Sequence, residues 1–251
     1  MSRHDCGFQV GLMSVQMDSK TARESIVYHA ELAHDWDTRY LKKSFVSRLE
    51  VLRECLKGYD LRSQLWVDAG CGTGTLSRWL AEQGCHVRGV DAAPEMVRTA
   101  ANIALSKRYP GTLSFESIET IARLPVPSGS LDGVLCSSVL EYVQDPDACL
   151  AEFVRVLRPG GLFLVSVPNA QSVARKGQVV VHQFGISVGK RWFRFLDYSK
   201  HQYSVEQFIR LLAAHRFRVT RVLPFGSPIP VWLQRRRFGG SLLMFVAARE
   251  L

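Results

Sequence analysis

The chain has no apolar run long enough to cross a bilayer. Its two longest, GLFLVSV at 161–167 and SLLMFVAA at 241–248, fall far short of the roughly 20 residues that a helical span needs. The first 17 residues are broken by Arg3, His4 and Asp5 and lack the continuous apolar core of a secretory signal. Cysteine is scarce and unpaired in sequence: positions 6, 55, 71, 85, 136 and 149 contain no CxxC spacing. That excludes the usual zinc ribbons and disulfide scaffolds, and a reduced, cytoplasmic protein without a structural metal is expected. There is no internal repeat, no low-complexity tract, and no glycine-lysine loop of the kind that cradles a triphosphate.

What is present suffices for one folding unit. With 251 residues and 47% hydrophobic content the chain can bury a single sizeable core. Its formal charge of +9 is unevenly spread. Between Gln171 and Tyr203, Arg175, Lys176, Lys190, Arg191, Arg194 and Lys200 face a single acid, Asp197, and Arg235, Arg236 and Arg237 form a second cluster. Runs of this kind serve as solvated surface, or meet an anionic acceptor, an anionic membrane or nucleic acid.

The most informative stretch is LWVDAGCGTG at 65–74, an apolar strand that runs into an acid and a turn with glycine at alternate positions. Gly70, Gly72 and Gly74 can take positive φ and present no Cβ, so the backbone can turn sharply and lie close to a ligand. TLSRWLAEQG then reads as a helix, and the next apolar run, HVRGVD, ends on Asp91. A carboxylate at the end of the second strand of such a unit accepts hydrogen bonds from ribose hydroxyls. The dinucleotide fingerprint wants a third glycine, and this chain has Ser77 there.

Strands are expected at 65–68, 86–90, 112–116, 131–136, 161–167, 216–223 and 241–248, alternating with helices at 42–57, 75–83, 94–106 and 146–157. In the first helix Phe45, Leu49, Leu52 and Leu56 share a face. Asp145-Pro146 is a helix start, Arg158-Pro159-Gly160-Gly161 a stop, and Ser204 with Gln207 a capping box. Alternation of this kind implies a parallel sheet covered on both faces.

VDAGCGTGTLS (67–77), GVDAAPEM (89–96), LDGVLCSSVLEYVQDP (131–146) and FVRVLRPGGLFLVSVPN (153–169) resemble, in order and spacing, the successive motifs of class I S-adenosylmethionine-dependent methyltransferases. The resemblance covers about residues 45 to 223, and within the superfamily the chain is most similar to the small-molecule branch that includes the ubiquinone-biosynthesis O-methyltransferases. It implies a Rossmann-like, doubly wound α/β fold with a mostly parallel seven-stranded sheet and an antiparallel C-terminal hairpin. The domain plan is then a single domain over 1–251, with a helical cap (1–64), a cofactor-binding core (65–169), an acceptor lid (170–203) and a C-terminal helix and hairpin (204–251).

The resemblance also implies site roles. Asp68, Gly70, Cys71, Gly72 and Gly74 would face the methionine part of S-adenosyl-L-methionine. Asp91 would hold the ribose, with Ala92 and Met96 against adenine. Ser117 and Ile118 would offer backbone contacts at the adenine edge. That register departs from the family pattern, with Thr120 where an Asp is common and Glu119 beside it. Cys136 and Ser137 follow the fourth strand, and Arg48 would pair with the cofactor carboxylate, a geometry suited to a guanidinium. The quinone-methylating relatives place Glu, Glu and His, thought to bind a divalent metal, where this chain has Ser138, Glu141 and Tyr142; one ligand type remains, so no metal is expected.

The expected activity is in-line methyl transfer to an oxygen or nitrogen of a small molecule, with S-adenosyl-L-homocysteine as product. His201 and Tyr203 are the candidate bases, with His182 and Tyr142 as alternatives. Phe184, Trp192, Phe193, Phe195 and Tyr198 are candidate walls for an aromatic or lipid-like acceptor, or the core of a lid helix. Peripheral contact with an anionic membrane through the basic 175–200 segment is a further expectation. Two other readings stay open: an RNA methyltransferase, against which stands CSSVLEY in place of an Asn/Asp-Pro-Pro-aromatic motif, and a non-catalytic S-adenosylmethionine-binding protein. No stable nucleic-acid partner is expected, and the oligomeric state is left open.

Overall fold

The computed structural model describes residues 23–33, 43–190, 192–226, 230–236 and 238–251, without the side chains of 43–47 and 231. Arg3, His4, Asp5, Cys6, Arg191, Arg237 and the side chain of Phe45 therefore lie outside the described set.

Helix α1 occupies 23–32. It is followed by α2 (Lys43–Leu56), β1 (Leu65–Ala69), α3 (Thr75–Glu82), β2 (His86–Asp91), α4 (Pro94–Ala104), β3 (Leu113–Ser117) and β4 (Leu131–Ser137). Then come α5 (Pro146–Val156), β5 (Leu157–Pro168), α6 (Val173–Ser187), a 3-10 turn (Arg194–Asp197), α7 (Val205–Ala214), β6 (Phe217–Phe225), α8 (Val231–Gln234) and β7 (Leu242–Arg249). The helix starts expected from sequence are in place. Asp145 accepts from Ala148 N at 2.9 Å with Pro146 opening α5, and Ser204 and Gln207 form a reciprocal capping box on α7. Strand β5 begins at Leu157, ahead of the expected 161, because the Arg-Pro-Gly-Gly stretch continues extended from the helix end.

The seven strands lie in the order β3-β2-β1-β4-β5-β7-β6. All neighbours are parallel except β7, which is antiparallel to β5 and to β6. The reversal between β1 and β2 on one side and β4 on the other creates a crevice at the carboxyl ends of these strands, the place where open α/β sheets take ligands.

Alternate residues of the central strands feed two apolar layers. Val67, Ala69, Val134 and Cys136 join Phe153, Phe163, Phe208 and Phe245 on one face. Trp66, Leu135 and Leu164 join Leu52, Leu80 and Met244 on the other. Central strands buried on both faces read as continuous apolar runs, which is how LWVDA and VLC read in the sequence. Gly133 is small for a packing reason, since a Cβ there would stand 2.3 Å from the Trp66 indole. No helix among the described residues is long and apolar enough to cross a membrane.

Candidate active site

Strand β1 delivers the chain into the glycine turn with Gly70, Gly72 and Gly74 all at positive φ (78°, 54° and 76°). At Gly70 a Cβ would stand 2.3 Å from Val139 Cγ2, in the segment after β4, so only glycine lets that segment lie against the turn. At Gly74 a Cβ would meet the Phe115 ring of β3 at 2.4 Å. Gly74 is therefore also a packing position, and it opens α3 in a left-handed conformation. Cys71 is constrained by packing as well. Its sulfur lies under β2, 3.1 Å from where a Cβ on Gly89 would be, so only its main chain can face the crevice.

Asp91 closes β2. Its Oδ2 accepts from Gly72 N at 2.9 Å and its Oδ1 from Ala93 N at 2.9 Å. A carboxylate has about four lone-pair sites, so Asp91 keeps room for a further donor such as a ribose hydroxyl. Burial pushes the Asp91 carboxyl up from its ordinary value, and the three backbone N–H groups that bond it oppose the shift. Asp68 lies beneath the turn, fully buried, accepting from Ser77 Oγ at 2.6 Å. Burial raises its pKa to about 7, Ser77 opposes this, and the neighbouring Asp91 charge adds to it. Two interacting buried carboxylates at the glycine turn favour a cationic ligand and oppose a pyrophosphate. The crevice thus fits an adenosyl sulfonium.

The other expected contacts divide. Ala92 is half-buried at the mouth. Met96 is buried with Ala93 and Ala33, with Ile26 and Ala30 of α1 packed against them, so it lies under the N-terminal helix rather than open to a ring. Ser117 is exposed at the end of β3, and the Ile118 N–H donates to Asp91 O at 3.0 Å. Cys136 is wholly inside the core, which removes its side chain from the site. Ser137 is half-buried, its hydroxyl 3.1 Å from that of Ser166. Arg48 reaches the strand ends from α2 and donates to Ser138 Oγ at 3.3 Å.

Helix α1 roofs the crevice, and the sequence carries no motif that announces it. His29 stacks edge-on against Tyr142 with centroids 4.9 Å apart; burial lowers its pKa, and a hydrogen bond to Ser25 and the Asp91 carboxylate oppose the shift. Tyr28 packs on Tyr198 at 5.0 Å and under the Arg194 guanidinium at 5.1 Å. An open cleft of about 390 Å³ lies between α1 and the 3-10 turn, lined by Arg23, Val27, Tyr28, Glu31, Arg194 and Tyr198.

Glu141, in the segment after β4, is 3% exposed, and its Oε2 has no hydrogen-bond partner among the described residues. Burial raises its carboxyl to about 7, against the pull of Arg48 and Arg175. Arg175, on α6, is buried as well. It donates to Ser199 Oγ at 2.9 Å and stacks on Phe195, while its Nε is unpartnered. Among the described residues no group of three or more His, Cys, Asp or Glu is placed to hold a metal ion.

The candidate bases occupy different places. His201 Nε2 lies 3.1 Å from the Val143 carbonyl; a carbonyl only accepts, so Nε2 carries the proton and Nδ1 keeps its lone pair. Tyr203 packs on Phe208, and burial pushes its phenol up. His182 is clamped between the Trp192 carbonyl and Asp197. Burial also drives the Tyr142 phenol far upward. Phe184, Trp192 and Phe193, expected as acceptor walls or lid core, are exposed, whereas Phe195 and Tyr198 are half-buried on the inner side.

Comparison with known proteins agrees with this geometry. The model of a methyltransferase domain matches residues 67–165. The chain is 34% identical over 145 residues to a ubiquinone biosynthesis O-methyltransferase of Xylella fastidiosa (57% of this chain, 54% of the relative). It is 36% identical over 115 residues to one of Xanthomonas oryzae pv. oryzae (46% and 47%). It thus spans about half the length of the curated relatives it matches. Among solved structures, magnesium protoporphyrin IX methyltransferase of Synechocystis PCC 6803 with bound S-adenosylhomocysteine superposes with a TM-score of 0.62 at 20% identity, covering 99% of this chain and 90% of that one. A methyltransferase of Mesorhizobium loti gives 0.59 at 22%, covering 80% and 96%. Residues 67–165 are thus similar to a methyltransferase domain, and the chain shares its fold with solved S-adenosylmethionine-dependent methyltransferases.

Proposed function

We propose that the protein transfers a methyl group from S-adenosylmethionine to an oxygen or nitrogen of a small-molecule acceptor. The observation that carries this reading is the pair of buried carboxylates, Asp68 and Asp91, set around the positive-φ turn at Gly70 and Gly72. Relatives described as O-methyltransferases match the same region and favour oxygen.

When bound, the cofactor supplies a methyl group made electrophilic by a sulfonium. Everything else falls to the chain. Asp91 accepts from the ribose beside the backbone N–H groups that already bond it. Asp68 and the main chain of the turn offer negative charge to the amino-acid end, and Arg48 a cation to its carboxylate. Helix α1 covers the crevice and keeps water from the reacting atoms. The acceptor lies between α1, the 138–142 segment and the lid, where Glu141 Oε2 and Arg175 Nε await polar partners. Alignment of this kind contributes up to about 7–11 kcal/mol of barrier lowering. The acceptor proton passes to Nδ1 of His201, whose tautomer the Val143 carbonyl fixes.

The test is to incubate the protein with radiolabelled methyl donor and fractionated small-molecule extracts, then identify labelled products by mass spectrometry. Labelled small molecule together with S-adenosylhomocysteine is the expected result. Binding of S-adenosylhomocysteine by calorimetry without turnover on any fraction points instead to a non-catalytic binding protein, and label recovered only in RNA to a nucleic-acid methyltransferase.

A further inference from the structure

Arg175 and Glu141 are oppositely charged, buried, and not hydrogen-bonded to each other. Arg175 is 6% exposed and Glu141 3%. Both hold the same stretch of chain: the guanidinium donates to Ser199 Oγ at 2.9 Å, and the Glu141 carbonyl accepts from Lys200 N at 2.8 Å. Burial is the main influence on the pKa of each, and each charge opposes it on the other. Yet Arg175 Nε and Glu141 Oε2 have no hydrogen-bond partner among the described residues. Buried polar atoms are costly unless they are satisfied. An unused donor beside an unused carboxyl oxygen calls for a group from outside the chain.

Charge decides which group. Apart from Ser199, the Arg175 guanidinium meets the Phe195 ring at 5.2 Å, and no carboxylate bonds it. Asp197, the one acid between Gln171 and Tyr203, is taken by His182 at 2.9 Å. Arg48 is directed to Ser138 and, in the activity proposed above, to the cofactor carboxylate. Glu141 itself is pushed up to about 7 by burial, so near neutral pH a large share of it carries a proton and offers an O–H. A guanidinium N–H beside a carboxyl O–H makes two donors, and a carboxylate only accepts. The outer cleft does not discriminate by charge, because Arg23 and Arg194 line it together with Glu24 and Glu31. Selection falls to the buried pair.

We infer that Arg175 Nε and Glu141 Oε2 together bind a carboxylate group of the methyl acceptor, which makes the acceptor an organic acid. This rests on the acceptor chamber proposed above and adds the class of compound that fills it. A neutral analogue would leave the guanidinium donor unpaired, which is how a buried polar site rejects a near relative of its substrate. Glu141 faces Arg48 of α2, Arg175 of α6, Tyr142 of its own segment and Tyr203, with the His201 main chain also against its carbonyl.

The test is calorimetry of the full chain saturated with S-adenosylhomocysteine, titrated with 4-hydroxyphenylacetate and with its neutral amide, 4-hydroxyphenylacetamide. At about pH 6.5 the acid is expected to bind roughly tenfold or more tightly than the amide. Its affinity should fall towards about pH 8 as Glu141 loses its proton. Arg175→Gln should cut the preference to about twofold or less, and Arg175→Lys should keep part of it. Both should retain S-adenosylhomocysteine affinity. Glu141→Gln, whose amide donates but does not titrate, should bind the acid with little dependence on pH, a readout that stands even where Arg175→Gln does not fold. Equal binding of acid and amide, binding of neither, tighter binding of the amide, or an undiminished preference in Arg175→Gln overturns the proposal. Acid binding without methyl transfer leaves the carboxylate site standing and counts against the enzymatic reading alone.

Discussion

The Gly72 amide donates to Asp91 Oδ2 at 2.9 Å, joining the turn after β1 to the end of β2. One bond therefore sets both the shape of the glycine turn and the orientation of the carboxylate proposed to hold the ribose. Asp91→Ala removes a charged acceptor, and hydrogen bonds to charged groups contribute about 1.5–3 kcal/mol. S-adenosylhomocysteine affinity should fall roughly 10- to 100-fold by calorimetry, with an unchanged circular dichroism spectrum. Unchanged affinity in a folded variant would remove the ribose assignment.

Gly74→Ala should act on stability rather than on affinity. The new methyl group would approach the Phe115 ring at 2.4 Å in a left-handed backbone conformation, and overpacking of this kind costs about 1–3 kcal/mol. A lower denaturant midpoint, with cofactor affinity per folded molecule retained, is the expected result. The opposite pattern would place Gly74 on the binding surface.

Binding of the cationic donor should depend on pH. Asp68, facing Ser77 and Asp91, is pushed up to about 7, so it is largely protonated below that pH and charged above it. Negative charge favours the sulfonium, so the preference for S-adenosylmethionine over S-adenosylhomocysteine should rise from about pH 6 to about pH 8. Glu141 titrates in the same window, so Asp68→Asn should flatten the rise in part. A ratio independent of pH in the wild type would contradict the role given to Asp68.

The two histidines of the lid region, His182 buried and His201 half-buried, should separate cleanly. His201→Ala is expected to lower kcat by about 10²–10⁴ and to leave the thermal midpoint near its wild-type value. His182→Ala breaks the clamp between Trp192 and Asp197 and should expose the 188–200 stretch to limited proteolysis. Rates that are equal in His201→Ala and wild type would leave proton removal to another group or to solvent.

The sheet and the glycine turn were legible because their signals are local: apolar runs five to seven residues long, a strand-turn-helix junction, a proline-led N-cap. The antiparallel C-terminal pair was legible as a hairpin. Its register was not, because the insertion of β7 between β5 and β6 depends on pairing between residues distant in sequence. Side-chain direction limited the site reading. Cys71 and Cys136 stand at motif positions but point into the core. Met96 is covered by α1, a helix with no sequence marker. Phe184 faces solvent because α6 spends its inner face on Arg175 and His182, an inversion that aromatic content alone does not reveal.

Strand β7 bonds to β5 along one side and to β6 along the other. During synthesis on the ribosome, both of those strands must wait with bare edges until residues 242–249 have emerged. A chain cut short before Leu242 would therefore display two unsatisfied strand borders at once, making it a substrate for chaperones or aggregation rather than a slightly smaller version of the same fold.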